Sequence, residues 1–354
     1  VVERKADIIA KELAIETNGE VLNNSEFGTS KLSIDKSIFD IANSRSETYA
    51  HPGALPDITQ NSIDKDLWRR DFSINSMALA LSPDEEWLIL DPTDGLLDVA
   101  KGIIRILHDK SFVDDPTRIF RAVKYAVRFG FAIEEHTMNL IETCIKSNHI
   151  NQISGHRILS ELSQITEEEN YIATTKLLSS LRILSSIHSK LEISDALLDR
   201  LNKLKTLPIL GTSKLLNLLL SDINTENINS ICSRLDLSPK TKQILYDIQT
   251  IKQSSKSLSC HNILNSELMV ILDKLDVESV GCMQIISKSK SLRENLSKFL
   301  EKLRFIQPKI EPQQIISLGI SPGPQIGILL ADIRFAVADG ILKTEAEEIQ
   351  FISD

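Results

Sequence analysis

Two short clusters hold the residue types best suited to chemistry. In Asp66-Leu67-Trp68-Arg69-Arg70-Asp71-Phe72-Ser73-Ile74-Asn75-Ser76-Met77-Ala78, two arginines and a carboxylate sit beside an apolar run (Phe72, Ile74, Met77, Ala78) that reads as helical. In Asp114-Asp115-Pro116-Thr117-Arg118-Ile119-Phe120-Arg121, Asp115 and Arg118 stand three apart, one helical turn, and so share a face. Guanidinium forks suit phosphate oxygens, and an acceptor beside a donor suits the edge of a base. Either cluster alone reads better as a surface ion-pair patch at a helix start. Two of them joined by a turn-rich stretch favour a site for nucleotides.

These clusters need elements to position them. Residues 3–17 read as a helix, with Ile8, Ile9 and Leu13 on one stripe and Gly19 as its stop. Residues 20–22 and 31–34 are short strand candidates around a Phe27-Gly28-Thr29 turn, and residues 37–42 form an apolar strand enclosing Asp40. A carboxylate enclosed in that way is costly unless it is paired or binds a cation. Arg45, Glu47 and His51-Pro52-Gly53-Ala54-Leu55-Pro56 read as a loop leading into the arginine-rich segment. Asp91-Pro92-Thr93-Asp94-Gly95 and Lys101-Gly102 are turn signals flanking short strands, and residues 103–107 close the first domain. From Ser111 onward every strong period is helical. Asp114 or Asp115 caps, Pro116 takes the first turn, and Arg118, Arg121, Lys124 and Arg128 follow along one stripe. Residues 170–250 form amphipathic Leu/Ile helices, and the Ser/Lys-rich stretch 253–259 is a candidate boundary. Near the end, Leu318-Gly319-Ile320-Ser321-Pro322-Gly323-Pro324-Gln325-Ile326-Gly327 precedes a helix. Such a Gly/Pro turn either offers backbone N–H groups to a phosphate or serves helix packing alone. Trp68 and Trp87 read as core or lining residues rather than stacking platforms.

At 354 residues the chain has room for two to four domains, with 42% hydrophobic and 25% charged residues as in ordinary globular proteins. Only 5% of residues are aromatic, so stacking is not expected to be the main grip on nucleic acid. Cys144, Cys232, Cys260 and Cys282 form no CxxC pair, which argues against structural zinc and a disulfide framework and suits a reducing cytoplasm. No apolar run reaches about 18 residues, so no membrane span is expected. A net charge of -9 argues against a generic polyanion binder. The charge is uneven, however. Residues 101–130 hold seven basic groups against three acidic, and residues 286–309 hold seven (including Lys288, Lys290 and Arg293) against two. Such patches suit a phosphate backbone, or are solvated helix faces. His108-Asp109 lacks the further His and Asp ligands that a metal phosphohydrolase needs.

The two clusters resemble the RRDFTINAMA and EDPLRxLRAxRFA patterns of the bacterial-type (class II) tRNA nucleotidyltransferase/poly(A) polymerase family. The likeness runs from Val1 to about residue 165 and returns in a tail similar to GIxPGPxIGxxL…DG. It implies an α+β protein: a polymerase-beta-like nucleotidyltransferase head (residues 1–107), then a helical neck (108–170), body (171–252) and tRNA-binding tail (253–354). It further implies template-independent addition of CMP and AMP to a tRNA 3′ end, with Mg²⁺, CTP and ATP, in the cytoplasm, with no protein partner inferred. Poly(A) polymerases and A-only or CC-only adding enzymes share these motifs. A non-catalytic RNA-binding fragment is the alternative of another class.

Carried over residue by residue, Asp115 and Arg118 read the base, and Arg70, Arg121 and Lys124 contact the nucleotide. Lys124 stands where the family has Arg and loses the bidentate fork. Asp71 and Asn75 become ribose or architectural partners, and Arg157 with Glu161 a scaffold pair four apart. Lys288, Lys290, Arg293, Gly323 and Gly327 become RNA contacts. Asp40 matches the third carboxylate of the superfamily and is either a catalytic metal ligand or structural. The family's principal pair, in a DxDLVVE-like strand after a Gly-rich turn, is expected upstream of Val1-Val2-Glu3, so the chain as it stands is expected to be inactive.

Overall fold

The computed structural model describes every residue except 4, 26–27, 52, 55, 82–86, 204–211 and 354. Phe27 of the expected turn, and Pro52 and Leu55 of the expected loop, therefore lie outside the described residues. The chain divides into two compact units, Val1–Ser189 and Lys190–Asp354.

In the first unit, α1 (Ala6–Glu16) lies against an antiparallel sheet of β1 (Glu20–Asn24), β2 (Thr29–Ile34) and β3 (Ser37–Ala42), in that order. The helix buries its small residues, Ala6 and Ala10, while Ile8 points to water; close approach to the sheet selects alanine over the larger stripe expected. A hairpin of β4 (Arg45–Thr48) and β5 (Asp57–Gln60) follows, then α2 (Ile63–Trp68) and a single 3₁₀ turn at Ser73–Asn75. Next come the pair β6 (Ala78–Leu79) and β7 (Ile89–Leu90), α3 (Gly95–Lys101), β8 (Ile103–Ile104), α4 (Ser111–Asp114) and α5 (Arg118–Phe129). β9 (Ala132–Ile133) returns to lie parallel with β8, and α6 (Glu135–Lys146), α7 (Gly155–Glu167), α8 (Tyr171–Ser180) and α9 (Ile183–Ile187) complete the unit.

Several expectations are corrected here. The run after Arg70 is not a helix. The Asn75 side chain accepts the Phe72 N–H at 3.0 Å, and Phe72 is fully buried and bridges Ile106, so the backbone turns once and leaves. Residues 95–101 are helical rather than linking strands, because Asp91 accepts the N–H groups of Gly95 (2.7 Å) and Leu96 (2.9 Å) and caps the turn. Asp40 is exposed on β3, opposite Lys31 on β2, and is not enclosed by apolar neighbours. Trp68 and Trp87 are 46% and 63% exposed, the first at the end of α2 and the second at φ 68° in the turn before β7; neither is core.

The second unit is entirely helical among the described residues. It runs through α10 (Asp195–Lys203), α11 (Thr212–Leu219), α12 (Thr225–Leu235), α13 (Pro239–Gln253) and α14 (Ser255–Leu258). Then follow α15 (Asn265–Leu272), α16 (Val277–Ile286), α17 (Lys290–Glu301), α18 (Pro312–Ser317), α19 (Pro324–Ala338) and α20 (Glu345–Ser353). The Ser/Lys-rich stretch 253–259 is helical, its Leu258 fully buried, and not an extended linker. Pro324 opens α19 at its first turn, as its sequence predicts, and Ile315, Ile326 and Ile333 form the core beneath it. No helix among the described residues is long and apolar enough to cross a membrane. The fold is α+β, with strands, among the described residues, confined to the first 133 and only helices thereafter.

Candidate functional site

Strand alternation, a helix end and a capping turn converge on one cavity of about 400 Å³ in the first unit. On β4 and just beyond it, Arg45, Glu47 and Tyr49 are two apart and project to one side. The end of α2 supplies Arg69, Arg70 and Asp71. Asp115, Arg118 and Arg121 enter from the start of α5, and Arg157 from the first turn of α7.

The Asp115 side chain turns back on its own helix. Its Oδ1 accepts the Thr117 N–H at 3.1 Å and the Thr117 hydroxyl at 2.6 Å, which caps the turn opened by Pro116. Arg157 Nη2 donates to the same oxygen at 2.8 Å, while Arg121 Nη2 lies 3.2 Å from Oδ2. Burial alone would raise this carboxyl. Arg121, Thr117, Arg157 and Arg118 outweigh it and hold Asp115 below the usual carboxylate range. Arg118, 3% exposed, does not pair with Asp115. It donates to Ser111 Oγ and to the Arg69 carbonyl at 2.9 Å, and its Nε faces Asp71 at 3.4 Å. Asp71 also meets Arg121 Nε at 3.1 Å, so one carboxylate spaces the two arginines of α5.

Behind this layer lies Asp66, 0% exposed. It accepts the Arg45 N–H (3.1 Å), Arg69 Nη2 (2.8 Å) and Arg70 Nη2 (3.0 Å). Burial pushes its carboxyl up, but the Arg69, Arg45 and Arg70 contacts prevail and hold it low. Glu47 binds Arg45 and Arg69, each at 3.0 Å, and accepts the Tyr49 hydroxyl at 3.0 Å. Six arginines and three carboxylates line the cavity, an excess of three positive charges. Such a cleft favours anions and still offers an acceptor and donors to a base.

Of the expected nucleotide residues, the structure gathers Arg70, Asp71, Asn75, Asp115, Arg118 and Arg121 around this cavity. Lys124 is not among its lining. It is 5% exposed, and its Nζ donates to Gln164 on α7 at 2.8 Å. Arg128, four residues on, binds Glu168, four residues after Gln164, so α7 absorbs the second half of the stripe. Arg157 is corrected as well, because it pairs with Asp115 and donates to the Gly53 carbonyl at 2.9 Å, not to Glu161. Gly53 sits at φ +74°, where a Cβ would lie 3.2 Å from the Gln152 carbonyl oxygen, so glycine holds the loop within Arg157's reach.

Glu161 Oε2 is buried without a hydrogen bond, and burial raises its carboxyl against the pull of Arg121 and Lys124. Sequence reasoning marked Arg69 only as one of two arginines suited to phosphate, placed Arg45 and Glu47 in a loop without a site role, and gave no role to Tyr49. The every-second-residue pattern of Arg45, Glu47 and Tyr49 was the signal that could have marked a strand facing a site. Asp109 pairs with His136 at 2.8 Å. In the second unit, Lys288 is exposed, Lys290 lies 3.6 Å from Glu294, and Arg293 Nη1 donates to the carbonyls of Ser287 (2.9 Å) and Lys288 (3.1 Å). Gly323 and Gly327 are exposed at the start of α19.

Among the described residues no group of three or more His, Cys, Asp or Glu could hold a metal ion. Asp40 is not in the cavity lining, and alone it is no metal centre.

The cleft is lined by arginines and built on the antiparallel β4–β5 hairpin, the end of α2 and the capped start of α5. Residues 1–105 match the family described as the poly A polymerase head domain. The A-adding tRNA nucleotidyltransferase of Geobacter sulfurreducens is 28% identical over 99% of this chain, which spans 42% of that relative's length. The enzyme of the same name from Halalkalibacterium halodurans is 26% identical, covering 99% of this chain and 82% of its own. A solved structure described as a CCA-adding enzyme, apo form II, superposes with a TM-score of 0.81 at 26% identity, covering 99% of this chain and 85% of that one. Residues 1–105 thus resemble that head domain, and nearly the whole chain is similar to A-adding tRNA nucleotidyltransferases.

Proposed function

We propose that this chain serves nucleotide addition to the 3′ end of tRNA, with the arginine-lined cavity as the nucleotide site. The observation that carries the reading is the convergence of Arg70, Asp71, Asp115, Arg118 and Arg121, from separate segments, on one cavity with excess positive charge. In this reading Arg70 and Arg121 meet phosphate or ribose oxygens. Asp115 Oδ1 is already occupied by Thr117 and Arg157, whereas Oδ2 accepts only Arg121 and keeps a lone pair for the amino group of a base. Arg118, held by Ser111 and Arg69, donates a remaining N–H to the ring nitrogen beside it. Cytosine and adenine both present a donor next to an acceptor; uracil and guanine invert that order.

The substrates are then ATP, with CTP as the alternative or additional donor, and a cytoplasmic location accompanies them. The names of the relatives that match nearly the whole chain favour A-only addition over complete CCA addition. The partition into head, neck, body and tail, and the tRNA contacts of the tail, belong to the same proposal. In the complete gene product, labelled ATP and CTP offered to tRNA ending in CC, and to tRNA lacking CCA altogether, test it. Adenylation of the first alone supports A-addition, CMP incorporation into the second supports CCA addition, and no transfer to either contradicts the proposal.

A further inference from the structure

A second cavity, of about 350 Å³, lies in the helical unit between the α13–α14 corner and the turn joining α16 to α17. Its floor is apolar, made by Met283, Ile286 and Leu292, each at most 4% exposed. Its polar lining consists only of lysines and serines, with no carboxylate among the described lining residues. Lys252 is already engaged, donating to the Ser221 carbonyl at 2.7 Å with Asp222 at 3.4 Å. Lys256 and Lys288 are exposed, and their ammonium groups make no hydrogen bond or ion pair among the described residues.

The serine hydroxyls point the same way. Ser287 Oγ accepts the Ser289 N–H at 3.2 Å, and Ser259 Oγ accepts the Ser289 hydroxyl at 3.3 Å. Each therefore keeps its own proton free to donate. Ser255 lines the same space, and its hydroxyl makes no hydrogen bond among the described residues. Arg293 braces the wall by binding the carbonyls of Ser287 and Lys288. Two unpaired ammonium groups and three donor hydroxyls over an apolar floor ask for a compact anion that accepts many hydrogen bonds. Charge-assisted bonds to such an anion are strengthened where water is partly excluded.

We infer that this cavity is a socket for a phosphate oxyanion, filled by one backbone phosphate of bound RNA, with Lys256 and Lys288 as its cationic contacts. The proposal rests on the tRNA reading for the source of the phosphate, and on the cavity alone for its chemistry. It also divides the basic patch of residues 286–309. Lys290 is matched by Glu294 and Arg293 by backbone carbonyls, so the grip shifts to Lys288 and to Lys256, a residue outside that patch.

The test compares tRNA binding by the wild-type chain, K256Q/K288Q and S259A/S287A over a range of salt concentrations, with circular dichroism to confirm folding. Removing one cationic grip on a phosphate lowers the log–log salt slope by about 0.7–0.9. K256Q/K288Q is expected to lower it by at least about 0.7. S259A/S287A instead weakens binding with the slope unchanged, since hydroxyls release no counterions. A folded K256Q/K288Q protein with wild-type slope and affinity overturns the proposal.

A second arm titrates inorganic phosphate and follows the backbone amides of residues 255–259 and 287–289 by NMR. Saturable shifts in the wild type that vanish in K256Q/K288Q support the socket, and equal shifts in both overturn it. If the wild type binds phosphate in this cavity but no tRNA, the tRNA reading fails and the RNA source of the phosphate fails with it.

Discussion

Replacing Asp66 by asparagine separates a structural keystone from a surface ion pair. The carboxylate is fully buried and holds Arg69, Arg70 and the Arg45 N–H together. Removing one partner of a buried ion pair costs roughly 3–5 kcal/mol. Here the arginine side chains keep 22% and 30% exposure and can rehydrate, so the loss is discounted to about 2 kcal/mol. For a unit of this size each kcal/mol moves the midpoint by about 2–4 °C, which predicts a drop of about 4–8 °C. Both tryptophans of the chain, Trp68 and Trp87, lie in the first unit, so their fluorescence follows its unfolding alone.

The pH dependence has a definite sign. The folded carboxyl lies below its ordinary value, so its contribution is fully present above the unfolded pKa of about 3.9 and is lost as pH falls through the lower folded value. The penalty of Asp66→Asn therefore persists from pH 7 to about pH 4 and shrinks only below that. Asp64→Asn, exposed on the same helix, should stay within about 0.5 kcal/mol of wild type. An Asp66→Asn variant as stable as the Asp64→Asn control would refute the reasoning.

Three further outcomes follow from the same geometry. Glu161→Gln should raise the first unit's melting midpoint at pH 7. Burial raises the folded carboxyl, so its ionised form costs stability above the unfolded pKa, and the gain should vanish below about pH 4; a gain unchanged in acid would count against it. Lys124→Gln should leave ATP affinity within about twofold by calorimetry, since its Nζ is spent on Gln164, whereas Arg121→Gln should lose at least about tenfold by removing a charged hydrogen bond to an anion; the reverse order would reassign the site. Arg157→Lys should keep the fold but weaken base discrimination, because one ammonium cannot span both Asp115 and the Gly53 carbonyl. Discrimination equal to wild type would make that clamp irrelevant.

Much of the head was legible because its signals were local. β2 and β3 follow runs of apolar and small residues bounded by turn residues, α19 opens on Pro324, and Pro116 marks the turn just ahead of α5. The Arg70–Asp71 and Asp115–Arg121 segments declared their charge in sequence, and the cavity does unite them. What was hidden depended on partners distant along the chain. Spacing alone put Lys124 on the functional stripe, but α7 lies along that half of α5 and takes its Nζ. Arg157 and Glu161 satisfy a helical pairing rule, yet Asp115 offers Arg157 a better acceptor 42 residues away. Asp40 looked enclosed by apolar neighbours, while its strand exposes four successive residues, Ser37 to Asp40. The helix at 95–101 escaped because its cap comes from Asp91, four residues ahead of Gly95 rather than next to it.

The central claim is that Asp115 and Arg118, held as they are by Thr117, Arg157, Ser111 and Arg69, present a base-reading edge to the cavity. Its most direct measurement is the equilibrium affinity of the chain for ATP against GTP, repeated on Asp115→Ala. A good two-bond contact discriminates by roughly 1–3 kcal/mol, or about 5- to 150-fold. Wild type is expected to prefer ATP by a factor in that range, and the preference to collapse in Asp115→Ala. Equal affinity for ATP and GTP in the wild type, or a preference that survives Asp115→Ala intact, would contradict it.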